Sequence, residues 1–539
     1  MSQHSLPAWA SAPRAHQPAA IDAAVEAFNA GTEVVFMDAP TGSGKTYIGE
    51  MIRRELDTRC VYVCSDKQLQ DQFLRDFPYA RVLKGRQNYR PTYATGKITC
   101  EDCTAVSADD DCMWCADRNM CPYQVAKAQA RFAEVAVLNT SYFLTEANYV
   151  GTFSKNDLVI IDEGDMLEDA LLSFVEYRVP EYVMRDLRLR APTKGARKPT
   201  LIGWLNAVAT AARQLVQSRG GAMERKHQNR WAAFIDDTKR VAAELQRDVA
   251  AADPESDTEA DDAGRWLRDY DTKTFAMKPV QVAGYGPKAL WRHGKRFLIM
   301  SATIISPDEM VHSLGIPYDF ETVTVPMTFP VANRPIILAP VANVTYATFD
   351  LAVPQLVFAI AQIIAMHPGE RVLVHCVSKK LNEALCAGIA VAGVVRPIFT
   401  YSNPNERTDL IKDFVNSDGG VLFSHSMDRG VDLPGDMCSV VIIAKVPSPA
   451  LGDKRVSARL HLPGGEQWYA VQAVRKVVQM SGRHVRSDTD VGVTYILDAQ
   501  FTTNLWRRNR GLFPAWWREA VDSSFDVRQL MPARMSKAS

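Results

Sequence analysis

Three groups of residues in this 539-residue chain have the types and spacings that phosphate chemistry requires. The first is Ala39-Pro40-Thr41-Gly42-Ser43-Gly44-Lys45-Thr46, set between an apolar run and a helical pattern. Glycine lets backbone N–H groups turn inward around an anion, and a helix N-terminus behind them adds its dipole. Lys45 would reach the β- and γ-phosphates of a nucleotide, and the Thr46 hydroxyl would bind Mg²⁺. Thr41, Gly42, Ser43 and Gly44 complete the cradle. Ala39 stands where the usual pattern has its first glycine, so the strand–loop–helix context supports the reading. The second group is Asp162-Glu163-Gly164-Asp165, at the end of the apolar run Leu158–Ile161. Beside a phosphate loop, Asp162 would hold Mg²⁺ and Glu163 would orient and deprotonate an attacking water. The third is Gln479-Met480-Ser481-Gly482-Arg483-His484-Val485-Arg486. Arginines three apart share a helix face. Arg483 and Arg486 suit charge developing on a transferring phosphoryl group, because guanidinium stays charged.

Ten cysteines are unevenly distributed. Cys60, Cys64, Cys376, Cys386 and Cys438 lie in apolar or strand-like surroundings and read as small core residues. The other five, Cys100, Cys103, Cys112, Cys115 and Cys121, fall within 22 residues. No export signal precedes them, so a metal site is the better reading than a disulfide framework. On spacing alone, Cys100-x₂-Cys103-x₈-Cys112-x₂-Cys115 is a four-thiolate zinc pattern with Cys121 spare.

These groups need elements to hold them. Val34–Asp38, Cys60–Cys64, Val135–Asn139, Leu158–Glu163 and Phe297–Thr303 form one set of apolar runs. Arg371–Cys376, Gly420–His425, Val440–Lys445 and Val493–Asp498 form another. Such continuous runs suit parallel strands buried on both faces. Helical patterns such as Ile21–Phe28 and Leu69–Phe77 lie between them, which predicts two α/β domains in tandem. Two stretches interrupt the first set: the cysteine-rich segment 86–134, and a charged, helical-looking segment 175–285 with few strand signals. The latter opens with six basic residues between Arg185 and Lys198 and later holds seven acidic ones between Asp248 and Asp262. The basic start reads equally as a nucleic-acid contact or a solvated helix face, and the acidic run reads as a solvated or disordered loop.

Composition narrows the class. Hydrophobic residues at 47% and charged residues at 23% are those of a soluble globular protein, which excludes disorder, collagen and coiled coil. No run of about 18 consecutive apolar residues predicts a membrane span, and the N-terminus lacks a secretory signal. A cytoplasmic location is the expectation for a bacterial or virus-encoded chain. The 62 basic and 62 acidic residues cancel, which argues against nucleic acid coating the whole surface but leaves room for a basic groove.

The order and spacing of the motifs resemble superfamily 2 helicases, and specifically the XPD/DinG group of iron–sulfur DNA helicases, over most of the chain. Arg14 with Gln17 resembles the adenine-reading Q motif, and the phosphate loop is motif I. Val61–Gln68 resembles motif Ia, and Asp162–Asp165 is motif II. Ser301-Ala302-Thr303 is motif III, Asp428–Gly435 with Asp432 resembles motif V, and Gln479–Arg486 is motif VI. The group-specific marks are Leu83–Tyr89 leading into the cysteines, then Cys121-Pro122-Tyr123. The resemblance implies two tandem RecA-like P-loop domains with an iron–sulfur insert and a helical arch insert in the first. Residues 1–85, 135–174 and 286–325 would build motor domain 1, and 326–539 motor domain 2. Residues 86–134 would be the iron–sulfur insert and 175–285 the arch.

The resemblance also implies ATP and Mg²⁺ as cofactors and a [4Fe–4S] cluster, with zinc as the alternative. Cys112, Cys115 and Cys121 would be three cluster ligands, with Cys100 favoured over Cys103 as the fourth. Gln17 and Asp432 would join the nucleotide site, and Gln479 the catalytic set. The implied partners are single-stranded DNA and forked or 5′-tailed duplexes, with RNA–DNA hybrid as a further substrate, handled by a monomeric motor moving 5′→3′. Two departures stand out: Asp165 replaces the histidine that helps couple hydrolysis to motion, and Arg429 stands where motif V has glutamate. A non-unwinding translocase and a zinc-containing, non-motor regulator are the other readings. With so short a segment before Arg14, an N-terminal nuclease is not expected. Tyr89, Trp114 and Tyr142 are candidate base-stacking rings, whereas Trp506, Trp516 and Trp517 read as core or cap residues.

Overall fold

The computed structural model describes residues 13–65, 67–103, 115, 120–193, 195–219, 223, 225–251, 266–271, 274–401, 406–426, 433, 437–482, 485 and 487–531. The first sheet begins with β1 (Val34–Asp38), β2 (Cys60–Cys64), β3 (Arg81–Val82), β4 (Val135–Asn139) and β5 (Asn156–Asp162). β6 (Tyr177–Pro180), β7 (Trp266–Asp271) and β8 (Thr274–Pro279) form a separate three-stranded antiparallel sheet. β9 (Gly294–Ser301) and β10 (Phe320–Thr324) return to the first sheet, whose order is β10-β1-β9-β5-β2-β4-β3 with every pair parallel.

The second sheet holds β11 (Ile336–Ala342), β12 (Val372–His375), β13 (Ile398–Phe399), β14 (Val421–Ser424), β15 (Val440–Ile443), β16 (Val493–Asp498) and β17 (Val521–Asp522). It is also all-parallel, in the order β13-β14-β12-β15-β16-β11-β17. The fold is the expected pair of RecA-like α/β domains. β2, β12, β14 and β15 are buried along their whole length, because helices cover both faces of each sheet. β1, β4, β9 and β16 stop where acidic or small polar residues begin. All parallel strands in a sheet end on one edge, and their connecting loops gather there.

The segment 175–285 is not purely helical, as its sequence suggested. Helices Lys198–Arg219 and Arg225–Ala251 pack on each other and on the β6–β8–β7 sheet around Leu205, Val208, Val241 and Phe275. The strand signals were weak because β6 has only four residues and ends in proline, and β7 carries three charged residues in six without a regular apolar period. The first residues of the acidic run, through Ala251, finish the second helix, and residues 252–262 lie outside the described residues. Most of the basic stretch is not a helix face: Arg185 and Lys198 lie in helices Glu181–Asp186 and Lys198–Arg219, and the connection between them exposes Arg188, Arg190 and Arg197.

One described helix, Phe349–Met366, is long and apolar enough to cross a membrane by length and composition alone. Its stripe Ala352, Leu356, Ala359, Ile360 and Ile363 is buried in the core of the second domain, which accounts for its apolar character. The tryptophans expected to be core or cap residues close the other face: Trp517 is fully buried among Phe501, Trp506 and Phe513.

The two RecA-like domains meet along helix Gly465–Ser481. Trp468, Arg475 and Gln479 are spaced to lie on one face of a 3.6-residue helix, and each contacts the first domain. Near the helix start, Glu168 accepts from Arg455, Arg459 and Trp468 Nε1, while Arg459 also meets Ser313 and Glu309. Burial works to raise the Glu168 pKa, but Arg459 and Arg455 outweigh it and hold the carboxyl below its ordinary range. Removing one partner of a buried charge cluster strands the others and costs about 3–5 kcal/mol. Glu168→Gln is therefore expected to lower the urea midpoint by several-fold more than the exposed control Glu383→Gln. Equal shifts for the two variants would show that the cluster does not hold the domains together.

Candidate functional site

The phosphate loop is a built structure. Gly42 and Gly44 sit in the left-handed region at φ 80° and 82°, and helix Lys45–Glu55 starts directly behind them. A Cβ on Gly44 would come within 2.5 Å of Gln17 Nε2, so both conformation and space require glycine there. The loop is clamped from outside. Gln17 Nε2 donates to the Ser43 carbonyl at 2.9 Å, His16 Nε2 lies 3.1 Å from the same oxygen, and Arg14 Nη1 donates to the Gly42 carbonyl at 2.6 Å. Gln17 Oε1 accepts the Arg14 N–H at 2.8 Å. Both ends of the Gln17 amide thus hold the loop in shape. His16, which sequence reasoning missed, is a lone histidine whose role shows only once the chain folds back on the loop.

The acidic group lies beside it. β1 and β5 both flank β9, so the phosphate loop and Asp162 leave the same edge of the sheet one strand apart. Tyr62 of β2 donates to Asp162 Oδ2 at 2.9 Å and is hydrogen-bonded to the Thr46 side chain. The two predicted Mg²⁺ ligands are therefore joined through one phenol, a residue hidden in the sequence inside the apolar run CVYVC. Burial pushes the Tyr62 hydroxyl well above its ordinary pKa, so it stays a donor. Hydroxyl and carboxylate are the hard oxygen donors that Mg²⁺ takes, and this pair fits it. Glu163 adopts left-handed backbone, φ 55°, and its carboxylate lies 3.8 Å from Lys45 Nζ. A positive φ in a non-glycine residue is strained, and here it turns the side chain toward the loop lysine.

Asp165 is buried and acts as an acceptor for both domains. Ser301 Oγ donates to one of its oxygens at 2.7 Å, and Gln479 Nε2 donates to the other at 2.8 Å. Gln479 Nε2 also reaches Thr303 Oγ1 at 3.0 Å. Motifs II, III and VI thus converge on one carboxylate. Arg483, Arg486, Asp432 and Arg429 lie outside the described residues.

Cys100, Cys103, Cys115 and Cys121 are buried in one core cluster, while Cys112 and Trp114 lie outside the described residues. Cys100 Sγ is 3.9 Å from Cys121 Sγ, and its thiol is pushed up to about 12 by burial and then by Cys121, with Cys115 also contributing. Among the described residues, no three ligand-type side chains converge on one point. The donor set, soft thiols gathered in an apolar pocket, still fits a thiophilic centre. Tyr89 and Tyr142 pack beside this cluster, with Tyr123 Oη 2.8 Å from Tyr142 Oη. Of the scattered cysteines, Cys60, Cys64, Cys376 and Cys438 are buried and Cys386 is half-buried.

A glycine-rich phosphate loop, an acidic strand end and a glutamine from a second RecA-like domain meet at one cleft, the arrangement of a two-domain motor that hydrolyses nucleotide. The family model described as "Helicase C-terminal domain" matches residues 360–520, and that described as "Type III restriction enzyme, res subunit" matches residues 10–169. The chain is 24% identical to the ATP-dependent DNA helicase YoaA of Escherichia coli (strain K12), over 90% of this chain and 91% of that protein. It is 32% identical to the ATP-dependent helicase DinG of Mycobacterium tuberculosis over 23% of this chain and 19% of that protein. Among solved structures, an XPD helicase aligns with a TM-score of 0.64 at 16% identity, covering 93% of this chain and 98% of that one. Xpd4 of S. tokodaii aligns at 0.56 and 13% identity, covering 94% and 99%. The chain is thus similar in sequence to DinG- and YoaA-type ATP-dependent helicases and shares its fold with XPD.

Asp38, at the end of β1 just before the loop, gives the site a measurable pH signature. Burial raises its pKa from 3.8 to about 7, against the opposing pull of Lys45, and its Oδ1 is buried without a hydrogen-bond partner. The folded state keeps this proton while the unfolded chain loses it, so stability falls as pH rises from about 4 to about 7. Asp38→Asn should remove that fall. In thermal melts its advantage over the unsubstituted protein should grow from pH 5 to pH 7, reaching roughly 1–4 kcal/mol. Parallel stability curves for the two proteins would contradict this assignment.

Proposed function

We propose that this protein is an ATP-driven DNA helicase that moves along single-stranded DNA in the 5′→3′ direction and separates duplex ahead of it. The observation that carries the reading is the Gln479–Asp165–Ser301 junction, which ties the second domain to the acidic strand end beside the phosphate loop. Nucleotide phosphates would lie on the N–H groups of residues 41–46, with Lys45 leaving Glu163 to meet them. That exchange frees the Glu163 carboxylate to orient a water and take its proton. Thr46 and Asp162 would hold Mg²⁺, which neutralises charge on the β- and γ-phosphates. Arg483 and Arg486 would come from the second domain to the same phosphates. Gln479 reports the state of the site across the cleft, because a shift of Asp165 moves its acceptor.

The departure at position 165 is compatible with this coupling, since Asp165 keeps contacts to both domains. The basic connection at Arg185–Lys198 is a further candidate DNA contact, and the motor is read as a monomer of the cytoplasm. Forked and 5′-tailed duplexes are the proposed substrates, with RNA–DNA hybrids as a second group. Strand displacement with 5′- and 3′-tailed duplexes tests the reading. Displacement should need ATP and a 5′ tail, vanish in Lys45→Ala, and fall about tenfold or more in Gln479→Ala while nucleotide binding persists. Displacement of only the 3′-tailed substrate would overturn the polarity. Hydrolysis and function unaffected by Lys45→Ala would favour the non-motor regulator.

The cysteine cluster would hold [4Fe–4S] through Cys100, Cys112, Cys115 and Cys121, pinning the insert to the first domain. The Cys100–Cys121 approach supports Cys100 as the first ligand. Protein purified anaerobically should be brown and contain about four irons per chain, and Cys121→Ser should lose both colour and iron. Colourless protein containing zinc and no iron would replace the cluster with a zinc site.

A further inference from the structure

Asp38 closes β1 directly before the phosphate loop, and its Oδ1 is buried with no described residue donating to it. Its neighbours in register are Ser301 of β9 and Thr324 of β10. Ser301 has one hydroxyl proton and gives it to Asp165 at 2.7 Å, while its oxygen accepts the Thr303 N–H at 3.1 Å. The backbone on either side is committed to the sheet. The Asp38 carbonyl accepts the Val325 N–H at 2.9 Å, and the Ala39 N–H donates to the Ser301 carbonyl at 2.9 Å. A buried polar atom without a donor is rare in folded proteins and weakens the fold. Packing does not call for it, because Val34 to Met37 already supply the apolar contacts of β1 on both faces of the sheet.

The cation that acts on this carboxyl is Lys45, whose ammonium also lies 3.8 Å from Glu163. β1 and β5 end on the same edge of the sheet with β9 between them, so the loop lysine interacts with two carboxyls from that edge. The two differ in setting and in task. The Glu163 side chain is 34% exposed, and a cation held against it makes it a poorer base for water. Asp38 is buried beside the loop and takes no part in binding water. Attraction between charges is screened less in the interior than at an exposed site, so Asp38 competes effectively with Glu163 for the same ammonium.

We propose that Asp38 is a positioning residue for nucleotide hydrolysis, drawing the Lys45 ammonium toward the phosphate loop and so releasing Glu163 to act on water. This role rests on the reading of Lys45 and Glu163 given above. The test uses the full chain at pH 8, above the value of about 7 to which burial pushes the Asp38 carboxyl. Three quantities are measured: the rate at saturating ATP and Mg²⁺, the affinity for the fluorescent nucleotide mant-ADP, and the melting temperature. Asp38→Asn should melt higher and hold mant-ADP at least as tightly, yet lose roughly 10- to 100-fold in kcat. A residue that only packs would not lower turnover while raising stability. The gain in melting temperature from Asp38→Asn should be larger in a Lys45→Ala background, where the buried carboxylate has lost its cation. Unchanged kcat in Asp38→Asn, or equal melting gains in the two backgrounds, would overturn the positioning role. Weakened mant-ADP binding would overturn it in favour of a part in binding, and a lower melting temperature would show that the carboxyl already has a donor. If the unsubstituted chain does not hydrolyse ATP, or Lys45→Ala hydrolyses it equally fast, the reading of the nucleotide site itself falls.

Discussion

Asp165 accepts a hydrogen bond on each of its two carboxyl oxygens, and much of the cleft is arranged around that junction. Its neighbours must all donate. The Thr303 N–H donates to Ser301 Oγ at 3.1 Å, the Ser301 O–H donates to Asp165, and Gln479 donates from the other domain. A histidine at this position could give to one neighbour and take from another. With the carboxyl oxygens of Asp165 accepting from both, the serine hydroxyl and glutamine amide are each turned toward it. The departure from the family pattern therefore leaves the junction intact while making it one-way.

The rest of the interface follows from the helix that delivers Gln479. Trp468 and Gln479 are eleven residues apart on helix Gly465–Ser481, about 16 Å along its axis. At one end, Arg455 and Arg459 meet Glu168 in a buried charge cluster; at the other, the contacts are an amide on a carboxylate and a hydroxyl. Separating buried charges from their partners costs more than exchanging one hydrogen bond for another with water. The Glu168 end is thus the stiffer contact, and the end beside the nucleotide site is the one that a change in phosphate occupancy can shift.

Much of this architecture was legible in the sequence, for a definite reason. Strands buried on both faces must be apolar throughout, so β1, β2, β4 and β16 coincide with their apolar runs to the residue. Edge and irregular strands carry no such signal. β10 is mostly polar and exposed, with Glu321, Thr322 and Thr324 among its five residues, β11 contains Pro340 and a register shift, and β3, β13 and β17 have two residues each. The phosphate loop and acidic strand end were legible because their chemistry is local. Tyr62, His16 and Asp38 were not, because each acts on a group far away in sequence or through burial.

The balance of 62 basic and 62 acidic residues hid a segregation that only placement can resolve. Many arginines are consumed internally: Arg53 and Arg54 on Glu50, Arg334 on Glu519, Arg455 and Arg459 on Glu168. Such paired charges contribute little field beyond the protein. The exposed connection carrying Arg188, Arg190 and Arg197 is different, because its cations face solvent on irregular backbone. A formal net charge counts both kinds equally, whereas a polyanion responds chiefly to the second. Zero net charge is therefore compatible with a strongly polar binding path, provided that the path is narrow and the remaining surface contributes balanced pairs.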